Sequence, residues 1–173
     1  MNPLAAYSAS PLALTLPSSR TVSLAVCFHN FELWKGQPIS DTYGGKALLD
    51  CHGEPLFAEL AILRLIQTQG WQGVWIDTYS KRFRQFLPPH ACDLPQHAQR
   101  FLDRANGGQK WRSGCPDVLA WSEGQYLFVE VKRKRRDKIL KSQRRWLDEA
   151  IHAGIPAECF LVFEWETAPL SAI

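Results

Sequence analysis

The clearest structural signal in the chain lies at residues 115–132, which read CPDVLAWSEGQYLFVEVK. Two apolar runs flank a Glu-Gly pair ending at Gly124, which is typical of a two-residue hairpin turn because glycine accepts a positive φ. With the turn there, Asp117 faces Glu130 across the hairpin, with Cβ atoms about 4.5–5.5 Å apart. The same register pairs Ser122 with Gln125, Trp121 with Tyr126 and Leu119 with Phe128.

Two carboxylates at this separation repel each other unless a cation lies between them. Mg²⁺ prefers oxygen ligands and is often bound through only one or two carboxylates. The predicted ligands are Asp117, Glu130 and the backbone carbonyl of Val131. Side chains alternate along a strand, so Lys132 shares a face with Glu130. Two acids, a lysine and a metal suit phosphodiester hydrolysis, in which Lys132 orients the attacking water or stabilises the developing charge.

A second motif lies on the helix predicted over about residues 138–153. An apolar stripe at helical spacing defines its inward face, and Gln143 falls inside that stripe. A polar side chain that faces a core needs a partner, and the acidic cluster is the nearest one. The alternative is that Gln143 lies at the edge of the stripe and contacts solvent.

The charge is strongly segregated, although the 173-residue chain has a formal net charge of only +3. Residues 132–145 sum to +8 and the rest of the chain to −5. This favours a polyanionic partner, nucleic acid first, over a solvated surface or a localisation signal. Residues 78–112 form a second basic stretch. The predicted phosphate contacts are Arg133, Lys134, Arg135, Arg136, Lys138, Lys141 and Arg112.

A third acid is expected at the first predicted helix, residues 56–69, which Glu54-Pro55 opens because proline is favoured at a helix start. Glu54 and Glu59 are both candidates. Glu59 lies among apolar residues, where burial is costly without a cation. Glu54 has the simpler alternative of a helix N-terminal acid that favours the dipole. Periodicity leaves the choice open.

The rest of the chain predicts one α/β domain over residues 21–167, in the order helix, three strands, helix, strand. Residues 1–20 read as a flexible or polyproline-like lead-in, 78–112 as a short helical insertion, and 168–173 as a weakly structured tail. The first strand is predicted over residues 21–28, with a pairing partner at 31–34. No apolar run approaches the ~20 residues of a membrane span. Five widely spaced cysteines and no basic region before the first apolar residues favour an intracellular, cytoplasmic protein.

Three segments together resemble a VRR-NUC domain of the PD-(D/E)XK nuclease superfamily, the module found in the Fanconi-associated nuclease. They are residues 112–121 (RSGCPDVLAW), 128–132 (FVEVK) and 142–147 (SQRRWL). The resemblance implies a restriction-endonuclease-like core, Mg²⁺ or Mn²⁺ as cofactor, and cleavage of branched, flap or junction DNA.

By the motif, Asp117 and Glu130 bind metal, Lys132 is catalytic and Gln143 supports the site, while Glu54 fits the family's first acid better than Glu59. Stand-alone members are dimers, and the sequence leaves open whether this chain is a homodimer. Two other function classes also stay open. One is a non-catalytic nucleic-acid-binding module on a nuclease fold. The other is a protein-interaction domain that uses the acidic residues after Arg145.

Overall fold

The computed structural model describes residues 2–40, 43, 45–87 and 90–168. Three helices lie in this part of the chain: α1 (Ala58–Gln67), α2 (Gln96–Ala105) and α3 (Lys141–His152). The strands are β1 (Ser8–Thr15), β2 (Thr21–Leu33), β3 (Leu49–Cys51), β4 (Glu54–Leu56), β5 (Gln72–Asp77), β6 (Arg82–Arg84), β7 (Ala91–Cys92), β8 (Val118–Ser122), β9 (Gln125–Arg133) and β10 (Phe160–Thr167).

The strands form one mixed sheet in the order β4-β3-β2-β10-β9-β8-β5-β6-β7, and β1 pairs with β2 outside this path. β10 runs parallel to both β9 and β2, whereas the other pairs are antiparallel. β5 and β9 therefore end, and β8 begins, at the same end of the sheet. The last residues of β10 lie there too.

Two apolar clusters cover the two faces of the sheet. One packs α1 against Val118, Ala120 and Val129. The other packs α2 and α3 against Leu119 and Phe128. Alternate residues of β8 and β9 serve opposite faces, so both strands are apolar on both sides, as central strands between helix layers are.

The predicted α/β class is confirmed, and α1, β5, β8, β9, α3 and β10 follow the expected chain order. The hairpin register is confirmed at Ser122–Gln125, Trp121–Tyr126 and Leu119–Phe128. Glu123 and Gly124 both have positive φ, the conformation of a type I′ turn that matches the twist of the flanking strands. The helix predicted in the insertion is α2.

The prediction that residues 1–20 form a flexible or polyproline-like lead-in is wrong. Most of it forms β1, whose register against β2 shifts between Ala9 and Leu12. Pro11 is tolerated because β1 is an edge strand, where a missing N–H costs no ladder bond. Beyond β1, both the N–H and the hydroxyl of Ser18 donate to the Asp148 carboxylate at 2.7 Å, and Arg144 donates to the Thr15 carbonyl at 3.2 Å. The hairpin is thus tied to α3, and the domain begins before residue 21.

Two other predicted boundaries differ. The strand predicted to stop at residue 28 continues to Leu33, because β10 pairs along β2 as far as Phe31. α1 starts at Ala58 rather than Leu56, because residues 54–56 pair with β3 instead of opening the helix. In the predicted tail, residues 169–173 lie outside the described part of the chain. Among the described residues, no helix has the length and apolarity to cross a membrane.

Candidate active site

The site lies where β8 begins and β9 ends. Asp117 immediately precedes β8, and extending the observed register puts it opposite Glu130. Its Oδ2 accepts the backbone N–H of Val131 at 2.9 Å. This bond holds the carboxylate against β9 just beyond the last paired residues of the hairpin. A ligand role for the Val131 carbonyl stays a prediction.

Glu130 is the most connected side chain of the cluster. It is 8% exposed, and its Oε1 accepts bonds from Lys132 Nζ at 2.8 Å and from Gln143 Nε2 at 2.6 Å. Lys132 is itself only 9% exposed, so its ammonium group is committed to this cluster. The structure brings together Asp117, Glu130, Lys132 and Gln143, four residues that the sequence singled out.

Gln143 links the start of α3 to the acids. Its side-chain oxygen accepts the backbone N–H of Leu140 at 2.8 Å, while its amide group donates to Glu130. One side chain thus caps the helix and orients a carboxylate, and the contact predicted with the acidic cluster is present. Helix α3 starts three residues later than predicted because Leu140, at the N-cap, is extended.

Gly114 allows the loop before β8 to approach α3 closely. It has a positive φ of 87°, and a Cβ there would collide with the backbone of Ser142. The glycine in the RSGCPD segment therefore permits the contact between this loop and the start of α3. Any side chain would push apart the two elements that carry Asp117 and Gln143.

The electrostatics of the acid pair favour a cation. Burial, followed by the negative charges of Glu130 and Glu59, raises the pKa of Asp117 well above its usual value. Burial also raises the pKa of Glu130, although Lys132, Asp117 and Gln143 oppose this shift. The Asp117 side chain keeps partial solvent access but is closely surrounded by protein atoms. A small cation beside Asp117 would therefore favour its charged form.

The structure does not bring Glu54 to the cluster. Glu54 lies in β4, and both of its carboxylate oxygens accept bonds from Arg64, at 3.0 and 3.1 Å. The charge of Glu59 acts on Asp117, whereas Glu54 pairs with a cation further along α1. Glu59 is therefore better placed than Glu54, which β4 displaces from the helix, and the role of a third acid stays a prediction. In the sequence, the signal that favours Glu59 as the third acid is its apolar surroundings, where a carboxylate is costly without a cation.

Lys46 is a member of the site that the sequence did not reveal. Its Nζ pairs with Glu59 Oε1 and lies 4.8 Å from the centre of the Trp75 ring. It comes from the loop between β2 and β3, outside every motif, so no local pattern could have identified it. Its charge partly neutralises Glu59.

The predicted phosphate contacts fall into three groups. Arg133 and Lys134 lie over aromatic rings, 5.2 Å from Trp165 and 3.8 Å from Phe28. Arg112 is half-buried and paired with Glu149. The third group is exposed and makes none of the aromatic or ion-pair contacts just described. It comprises Arg135, Arg136, Lys138 and Lys141.

The donor set suits Mg²⁺ or Mn²⁺ in chemistry, since Asp117 and Glu130 offer carboxylate oxygens beside a third acid, Glu59. The negative charges of Glu130 and Glu59 help to raise the pKa of Asp117, an effect that a bound divalent cation would reverse. Across residues 2–40, 43, 45–87 and 90–168, no three His, Cys, Asp or Glu side chains are gathered as a ready-made metal cage. Two carboxylates with water and phosphate completing the shell are the arrangement that fits.

An acid pair with a lysine and a glutamine at the end of a mixed sheet between helices is compatible with an α/β nuclease fold. The family model of the VRR-NUC domain matches residues 67–164, more than half of the chain, and the chain belongs to this family. A VRR-NUC domain indicates a nuclease with DNA as its substrate. No curated protein and no solved structure matches the chain in these comparisons. Particular similarity to the Fanconi-associated nuclease stays a prediction, and the match begins after Glu59.

Proposed function

We propose that this protein is a metal-dependent nuclease that hydrolyses phosphodiester bonds in branched, flap or junction DNA on a restriction-endonuclease-like core. The observation that carries the proposal is the cluster of Asp117, Glu130 and Lys132. Lys132 bonds Glu130 at 2.8 Å, and Asp117 accepts the N–H of Val131, the residue between them on β9, at 2.9 Å. Family membership supports the nuclease activity. The divalent metal and the preference for branched DNA go beyond family membership and are part of the proposal.

Asp117 and Glu130 would hold Mg²⁺ or Mn²⁺, with the Val131 carbonyl as a further ligand. Glu59, in place of Glu54, would be a third acid whose charge acts on the pair from outside the ligand shell. The bound ion would stabilise charge developing on the scissile phosphate and make the attacking water more acidic. Lys132 is held by Glu130 on the same face, where its ammonium group can orient that water or stabilise the same charge.

Gln143 acts through Glu130. Its bond at 2.6 Å fixes one carboxylate oxygen of Glu130, the same oxygen that accepts Lys132 Nζ. Partners of this kind orient metal-ligating carboxylates, and removing them commonly costs 10–100-fold in affinity or activity.

The exposed basic group continues from the site. A cleft of about 440 Å³ opens beside Lys132, and its charged lining is completed by Lys138, Arg144, Asp137 and Glu164, with a net positive charge. Cations along such a cleft contact phosphates without reading sequence, which suits an enzyme that recognises DNA shape. Arg135, Arg136, Lys138 and Lys141 are the proposed contacts. Arg112, Arg133 and Lys134 also have structural partners.

The test uses labelled fork, flap, four-way-junction and duplex DNA with Mg²⁺, Mn²⁺ or EDTA. We expect cleavage of branched DNA by the wild type only with metal, and none by Asp117→Ala. The matched control is Asp93→Ala, an exposed acid in the insertion, purified in the same way. Equal cleavage by wild type and Asp117→Ala would reject this site.

A non-catalytic DNA-binding module is the second candidate. It is favoured by the lysines that already pair with two of the acids, Lys132 with Glu130 and Lys46 with Glu59. A module of this kind would bind DNA in a salt-sensitive manner and cut none of the substrates in any divalent metal. The cleavage experiment, run beside a binding titration, separates the two.

A further inference from the structure

The turn between β5 and β6 lies at the same end of the sheet as the acids. β5 and β8 are antiparallel, and the N–H of Ile76 donates to the carbonyl of Asp117 at 2.7 Å. Tyr79 follows Ile76 by three residues, a span of at most about 11 Å along the backbone. With the 2.7 Å bond added, the backbone of the tyrosine is within about 14 Å of the Asp117 carbonyl, about four nucleotide rises.

The turn is anchored by a buried ion pair. Asp77 is 3% exposed and accepts Arg84 Nε at 2.8 Å. Its other oxygen accepts the N–H of Ser80 at 3.0 Å, which closes the turn around Tyr79. A turn fixed at its base presents its tip in a defined direction, so little conformational entropy is lost when a ligand binds.

Tyr79 is the side chain at that tip, and it is 95% exposed. Phe86, the other strongly exposed aromatic residue of the insertion, is 54% exposed and lies against Arg64, 5.1 Å from the ring centre. Both cations that follow Tyr79, Lys81 and Arg82, are exposed. An uncovered ring beside two cations combines a stacking surface with phosphate contacts.

We propose that Tyr79 stacks on an unpaired base of the substrate next to the cleavage site, while Lys81 and Arg82 contact the adjoining phosphates. Aromatic faces bind unpaired bases regardless of sequence, whereas the bases of a duplex already stack on one another. The stacking therefore selects DNA with a single-stranded arm. This inference rests on the proposed function and supplies a physical source for its preference for branched DNA.

The test measures binding of the full chain in EDTA, where no cutting occurs. The probes are a forked oligonucleotide with 2-aminopurine at each of the first unpaired positions, and a blunt duplex of the same paired sequence. We expect wild type to quench the fluorescence at one of these positions. Tyr79→Ala should lose the quench and weaken fork binding about 5-fold or more while leaving duplex binding unchanged.

Two variants show whether stacking is responsible. Tyr79→Phe keeps the ring and should keep both the quench and the affinity, and Phe86→Ala removes the other exposed ring and should change neither. Equal weakening on fork and duplex, loss with Tyr79→Phe, or unchanged fork affinity with Tyr79→Ala would overturn the stacking while leaving the nuclease proposal standing. If the wild type bound neither probe at low salt, both proposals would fall.

Discussion

Replacing Asp117 by asparagine should stabilise the metal-free protein while abolishing cleavage. Asparagine has nearly the same shape and can still accept the N–H of Val131, so the change removes little besides a charge. At the separation of directly opposed residues, about 5 Å, two carboxylates repel by about 3 kcal/mol at an effective dielectric constant of about 20. Lost attraction to Lys132 offsets part of this, which leaves a net gain of about 1–3 kcal/mol.

The gain should grow with pH. Because the pKa of Asp117 is raised in the folded state, its contribution to stability is full below the pKa of the unfolded chain and is lost as pH rises through the folded value. The difference between variant and wild type is therefore small in acid and largest at alkaline pH.

Urea unfolding in EDTA at about pH 4, near the unfolded pKa of an aspartate, and at about pH 8 measures the difference in free energy of unfolding. Asp93→Asn, an exposed acid outside the cluster, is the control and should change stability by less than about 0.5 kcal/mol at either pH. A variant no more stable than wild type at the higher pH, or a gain that is the same at both, would refute the repulsion.

Three further predictions concern the surroundings of the site. Gln143→Ala should cut the cleavage rate by about 10–100-fold and lower stability by about 1–2 kcal/mol, measured by kinetics and urea unfolding, because Glu130 and the helix start both lose a partner. Asp148→Ala should lower stability by about 2–3 kcal/mol and expose the N-terminal hairpin to limited proteolysis, because two bonds of 2.7 Å are lost. Arg136→Ala should reduce by about one the slope of log binding constant against log salt, whereas Arg112→Ala should lower the melting temperature with little change in that slope.

The part of the site that could be predicted is the part that local patterns determine. The alternation of residues 117–132 and the turn at Gly124 define a register without reference to any distant residue, and the structure has that register. Gln143 was identified because a polar residue inside an apolar stripe needs a partner, which Glu130 provides.

The part that could not be predicted depends on partners far away in sequence. The choice between the two glutamates depends on Arg64 and Lys46, which pair with one each. β1 was missed because serine, alanine and proline do not distinguish an edge strand from a coil, and its hairpin is tied down by Asp148, 130 residues after Ser18. Likewise, nothing within a basic run indicates which of its members will lie on an aromatic ring.

The irregular edge strand has a consequence for self-assembly. An unpaired strand edge is a template on which a second chain can add, and natural proteins block it with prolines and bulges. β1 has both, since Pro11 lacks an N–H and lies within the register shift between Ala9 and Leu12. Continuous sheet across two copies is therefore disfavoured at this edge, and a homodimer would have to join through another surface.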